Sequence, residues 1–238
     1  MKKLIILFVA ILGISPAFAQ SDEGADFSSF VKPKKSAFFI GPKGGVTMSS
    51  MTQPNECDLY DGSGIGFSGG IAMKARFGRA TENSIEGTGM VGVGLELKYK
   101  QNKVKTIAGD DLSLGYFEVP VTLQFYPSTK SNVMNGFYIE AGVAGGLLTS
   151  KSPDQIKLKE ELNQPWPGIL SKEYVFKTGD LKGFDVHPVV GIGFTIPNTG
   201  FDINARYNIG MSELAENFPC KVSAIEVSIS WLFKAAKF

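Results

Sequence analysis

Eight stretches of the chain alternate with a period of two, and the alternation is inside out for a sheet in water. They are "AFFIGPKGGVTMS" from residue 37, "GIGFSGGIAMKARFG" from 64, "GMVGVGLELKY" from 89, "LGYFEVPVTLQF" from 114, "GFYIEAGVAGGLL" from 136, "FDVHPVVGIGFTI" from 184, "GFDINARYNIG" from 200 and "SAIEVSISWLF" from 223. Each has about 10 to 14 residues, enough to cross a bilayer as a tilted strand. One parity is bulky and apolar throughout, for example Phe117, Val119, Val121, Leu123 and Phe125 in the fourth run. The other parity carries Lys43, Lys74, Arg76, Glu96, Lys98, Glu118, Glu140, Asp185, His187, Asp202, Arg206 and Glu226, spaced mainly by Gly, Ala, Ser and Thr. A soluble barrel puts bulky apolar groups inside and charges outside. With the faces reversed and an even number of runs, the pattern predicts an all-β chain, an eight-stranded antiparallel up-and-down transmembrane β-barrel with lipid against its apolar wall.

The start of the chain fits that destination. "MKK" is a basic head, "LIILFVAILGI" is an apolar run too short for a permanent span, and "AFA" ahead of Gln20 has the small-x-small form of a signal-peptidase site. Residues 1–19 therefore read as a cleaved signal peptide, 20–36 as a periplasmic N-terminal segment and 37–238 as the barrel. Removing Lys2 and Lys3 leaves 22 of the 24 basic residues against 23 acidic ones, a balance with no basic surface for nucleic acid.

The charged parity faces the lumen. An eight-stranded barrel is just wide enough for side chains to fill it, so near-balanced opposite charge predicts a plug of ion pairs, with Glu226 pairing to Lys43 or Arg206. Pro42, Pro120 and Pro188 cannot donate to a ladder, and a closed barrel has no harmless edge, so each predicts a bulge or a water. Phe38, Phe77, Phe125, Phe137, Phe194, Phe201, Trp231 and Phe233 fall on the lipid face at one rim and form an aromatic girdle. "KAAK" after Phe233 breaks the alternation, which predicts anchoring by Trp231 and Phe233 and a tail in the periplasm.

With a periplasmic N-terminus, strand counting places 50–62, 101–112, 150–182 and 211–221 outside the cell, and 79–87, 127–135 and 197–199 in the periplasm. In the long third outer loop, "SPDQIKLKEELN" has a helix-start residue and Glu–Lys spacing, predicting a short exposed helix; Trp166 beyond it is a candidate contact for a partner. Cys57 and Cys220 fall in the first and fourth outer loops, which barrel closure sets side by side. An oxidising export route then predicts a disulfide between them.

"YFEVPVTLQFYP" resembles the Tyr-x-Glu-Ile-Pro-Leu strand of PorT-type outer-membrane barrels of Gram-negative bacteria with type IX secretion and gliding. "GPKGGVTMS" is similar to that family's Gly-x-Lys-x-Gly-x-Asn-x-Ser strand, with Thr47 in place of Asn, and "DINARYNIGMSEL" to its Arg-Tyr-x-x-Gly-Leu-x-x-Ile strand. The resemblance implies an OmpX/OmpA-like barrel in the Gram-negative outer membrane and a link to secretion or gliding.

The function expected from these features is that of an integral, porin-like barrel with a plugged lumen that anchors and presents outer loops, its partners being outer-membrane lipid and a protein reached through 150–182. Two other readings stay open. A lipid-modifying enzyme would use a His with a Ser or a carboxylate at the outer rim or on the lipid face; His187, the one histidine, falls inside by parity. A small-solute channel would need a continuous water path. No metal-ligand cluster, cofactor motif or phosphate loop leading into a helix is present in the sequence.

Overall fold

A computed structural model of the chain describes residues 36–52, 60–77, 89–106, 111–127, 136–160, 172–177, 181–196, 199–214 and 220–237. They form eleven strands: β1 (Ala37–Thr52), β2 (Tyr60–Phe77), β3 (Val91–Thr106), β4 (Asp111–Phe125), β5 (Phe137–Ser152), β6 (Gln155–Glu160), β7 (Lys172–Lys177), β8 (Phe184–Thr195), β9 (Phe201–Asn208), β10 (Lys221–Trp231) and β11 (Phe233–Lys237). β1 to β5 and β8 to β10 are the eight expected staves. Each pairs antiparallel with its neighbours, and β10 returns to pair with β1 from Lys43↔Ser230 to Thr52↔Lys221, closing the barrel. The lower end is taken here as the one where β1 begins.

Closure gives each stave a partner on both sides, which is what lipid demands of a strand. The pleat then fixes the faces. In β4, Phe117, Leu123 and Phe125 point out and are exposed, while Glu118, Thr122 and Gln124 are buried between them.

Four sequence expectations are corrected. The 101–112 stretch is mostly strand, since β3 runs to Thr106 and β4 starts at Asp111; likewise β1 runs to Thr52 and β2 starts at Tyr60, inside the expected 50–62 loop. The alternation continues there with its polarity reversed: Gln101, Lys103 and Lys105 face outward, and Val104 opposes Leu112 on the inside. The expected helix after Ser152 is a hairpin of β6 and β7, paired from Gln155↔Lys177 to Glu160↔Lys172. The first of its sequences, "QIKLKE", alternates with period two, and the second, "KEYVFK", is rich in aromatic and β-branched residues that favour strands. The tail is also strand: β11 pairs with the lower half of β1, from Ile40↔Phe233 to Ala37↔Lys237.

The prolines sit at breaks in the ladders, and no bulge is placed at them. β3 and β4 pair at Leu95↔Val121 and again, in the same register, at Lys98↔Glu118, with Pro120 in the gap. Pro42 lies opposite the interruption between β10 and β11, where the Leu232 N–H turns away to the Gly200 carbonyl at 2.7 Å. Pro188 lies one residue past the last β8–β9 pair, Val189↔Asn208. Each proline thus stands at the end or interruption of one of its two ladders and stays paired in the other; the Pro188 carbonyl still accepts from the Ile209 N–H at 3.0 Å. The bulges occur elsewhere, at Phe38/Phe39, Tyr60/Gly62, Ser63/Ser68 and Gly115/Tyr116.

Candidate functional site

The lumen is the candidate site, and its layers follow from which inward positions are large. At the lower end two tyrosines form a floor. Tyr138 is fully buried and its ring lies where a side chain at its strand partner Gly193 would have to be, with a Cβ there only 2.2 Å from the ring. Tyr126 packs against it with centroids 5.3 Å apart. Cations lie against both: Lys74 Nζ is 4.0 Å from the Tyr138 ring centre, and the Arg76 guanidinium is 3.6 Å from that of Tyr126. Asp202 ties this layer together, accepting from Lys74 at 2.6 Å, Tyr138 at 3.0 Å and Thr195 at 2.7 Å.

Above the floor three carboxylates and three cations interlock. Arg206 donates through Nε and Nη2 to Glu140 and through Nη2 to Glu96 at 2.7 Å. Glu96 also accepts from Lys43 at 2.8 Å, and Glu140 accepts from Asn204 at 2.8 Å. Glu226, fully buried, pairs with Lys98 and accepts from Ser68 at 2.8 Å. This corrects the expected Lys43 or Arg206 partner, although Arg206 is its strand neighbour. Lys98 reaches across the lumen from β3 to β10, over the small inward residues Gly70, Ser68 and Thr47. A side chain at Gly70 would begin 2.6 Å from the Lys98 Cα.

Higher still, Glu118 accepts from Lys100 at 3.0 Å and lies 3.8 Å from His187 Nε2, while His187 Nδ1 is 3.0 Å from Asp185. Of the twelve sequence-predicted lumen residues, eleven are buried and Asp185 is partly exposed at the mouth. The sequence reading missed Lys100, one residue past the run that ended at Tyr99, and it missed Tyr126 and Tyr138. Parity alone would have placed all three inward.

The top of the lumen is apolar. Met51, Val104, Leu112, Leu114, Tyr116, Leu181, Leu214 and Cys220 form a buried cluster, with Leu148 and Val222 packed against it. Around it the outer wall is polar: Gln101, Lys103, Lys105, Asp111, Ser113 and Ser150.

On the outer wall Phe77, Phe125, Phe201, Trp231 and Phe233 are exposed at the lower end, and Phe38, Phe137 and Phe194 are half-buried there. Phe201 stacks on Trp231 at 5.7 Å, and Trp231 meets Phe233 at 4.8 Å. A second aromatic level lies above, where Tyr99 pairs with Phe117, Phe117 with Leu147, and Leu147 with Phe184. In β4 the two levels are eight residues apart, about 26 Å along the strand and so about 20 Å in height at the usual tilt, of the order of a lipid-facing apolar band.

Chemically, the described interior holds charge in place: the carboxylates that accept from Ser68 and Thr195 are themselves tied to Lys98 and Lys74. His187 faces the lumen and Asp185, and Ser212 contacts the Val186 backbone at 3.1 and 3.3 Å. Among the described residues no group of three or more His, Cys, Asp or Glu is arranged to hold a metal ion. Cys57 and Trp166 lie outside the described residues.

A model described as the outer membrane protein beta-barrel domain matches residues 18–216 of the chain. Similar solved structures include Ail, the attachment invasion locus protein of Yersinia pestis, in complex with the heparin analogue sucrose octasulfate. It is 16% identical over 83% of this chain and 99% of its own, with a TM-score of 0.42. Neisserial surface protein A is 13% identical over 84% of this chain and 99% of its own, also at 0.42. No curated protein matches.

Proposed function

The chain belongs to the outer membrane protein beta-barrel domain family and lies in the Gram-negative outer membrane, and from that premise we propose that it anchors and presents loops at the cell surface. One observation carries this reading: the interior is occupied from floor to mouth by paired side chains and an apolar cap. Such an interior leaves the upper loops as the part that meets other molecules. The upper end is the extracellular one, residues 1–19 are the export signal, and the barrel is not an enzyme. The inward-facing His187 supports the last point, because lipid chemistry would need it on the outer wall.

The PorT-type motifs make a component of type IX secretion or gliding the first partner class to test, with the 150–182 segment as its contact. The test is capture of the intact protein from its own outer membrane, beside a version with residues 155–177 replaced by a short Gly-Ser turn. Partners retained by the first and lost by the second support the reading. Equal capture by both overturns the role of this segment.

Cys57 and Cys220 are proposed to bridge the seam at its upper rim. Lys221 pairs with Thr52, five residues before Cys57, and Cys220 is buried beside that pair. In the chain-entropy model so long a closed loop contributes about 4–5 kcal/mol. Two alkylatable thiols in the unreduced, unfolded protein would remove the proposal.

A further inference from the structure

Resting on the anchoring role above, we propose that the apolar cap, and not the charged lumen, is the barrier that shuts this barrel to water and ions, and that half of the cap can be lifted. The cap has two parts of different origin. Leu112 and Leu114 stand on β4 and Val104 on β3, where the ladder fixes them. Leu181 and Leu214 stand on irregular segments at the feet of the third and fourth upper loops.

Those segments are held by a short set of bonds: Lys182 N–H to the Leu214 carbonyl at 2.7 Å, Leu214 N–H to the Cys220 carbonyl at 2.9 Å and Leu148 N–H to the Gly183 carbonyl at 2.9 Å. Ser212 adds a hook on the Val186 backbone. The Lys182–Glu213 pair beside them, at 3.8 Å, is nearly half exposed and holds little. Next to the cap a cavity of about 20 Å³, between Asn102, Tyr116, Asp185 and Ser212, has room for about one water molecule.

Below the cap the surroundings change. Glu96 Oε2, Glu118 Oε2, Asn204 Oδ1, Arg206 Nη1 and Ser228 Oγ are buried without a hydrogen-bond partner among the described residues. They include donors and acceptors, the mixed demand that water meets and a single ion does not. A charged lumen with such atoms draws water in, whereas an apolar constriction gates by expelling it. Since the lifting half of the cap hangs from the loops proposed to engage a partner, loop engagement and lumen opening share one mechanical element.

The experiment is conductance of the full-length protein in planar bilayers, folding being checked by the heat-modifiable band. Leu181→Ser with Leu214→Ser should raise the frequency of conducting events at least about tenfold over wild type by wetting the constriction. Lys98→Met with Glu226→Leu should stay as silent as wild type. A silent cap variant beside a conducting charge variant overturns the proposal, as does an open wild type. If the double serine variant loses the band, Ser212→Ala takes its place and is read the same way. Partner capture is a separate measurement, so failure of the gate and failure of the anchoring role are told apart.

Discussion

In β3 and β4 the wall below Tyr99 and Phe117 is apolar outside and charged inside; toward the top of the same two strands Lys103, Lys105, Asp111 and Ser113 face out while Val104, Leu112 and Leu114 face in. In β3, Leu97 faces out and Lys98 is buried, whereas six residues on Lys103 faces out and Val104 is buried. Between β3 and β4 the ladder keeps one register through both regions, from Lys98↔Glu118 to Lys105↔Asp111. What changes is the solvent around the wall. The lower belt gains nothing by hiding apolar groups from lipid, so its interior is left to charges that find each other. The upper collar stands in water and is organised as a small soluble core.

The belt should respond most strongly to substitution. Arg206→Leu leaves the buried carboxylates Glu96 and Glu140 short of a shared cation, and breaking a buried pair costs about 3–5 kcal/mol. The midpoint of urea unfolding in detergent or lipid should fall accordingly, and adding Glu140→Gln should recover part of the loss. A midpoint unchanged by Arg206→Leu would mean that the belt interior is fully solvated.

In the collar, Leu114→Ala should cost about 2–4 kcal/mol, as in a soluble core. Leu123→Ala, on the lipid face of the same strand and 65% exposed, should cost clearly less because lipid refills the space. Equal losses at the two positions would erase the distinction between the regions.

A smaller contrast tests the outer wall directly. Val143→Lys places a charge in the lipid band and should cost about 2–4 kcal/mol, against about 0–1 kcal/mol for Thr149→Lys above it. Lipid band and collar are then compared on β5 alone, by the same unfolding midpoint. A penalty for Thr149→Lys as large as that for Val143→Lys would place the lipid boundary higher than the Tyr99 level.

The staves, their number and the direction of each side chain were legible because period two is a local property, written in every run. Partner choice in the lumen was not. Parity says that Glu226 points inward, but the stagger between strands and the small residues at Gly70 and Ser68 decide that Lys98 reaches it. The collar was missed for a different reason. An apolar-outside template stops matching at Gln101, although the alternation itself continues, so β3 and β4 looked shorter than they are. The β6–β7 hairpin lay hidden beneath a helix-like charge spacing, which strands also tolerate.

The seam between β1 and β10 joins Lys43 to Ser230, residues almost the whole chain apart. The ladders between consecutive staves can form as soon as the two strands exist, but this seam and its continuation between β1 and β11 wait for the end of the chain to be released. Chain closure over so many residues is slow compared with hairpin formation. Until it happens, the assembling sheet carries two bare edges, β1 and whatever strand came last, each able to recruit a foreign strand. The lifetime of that open sheet, set by the encounter of the chain's two ends, is the interval in which an insertion factor must hold it. A chain cut before Trp231 would leave the seam short of its lower pairs and prolong that interval.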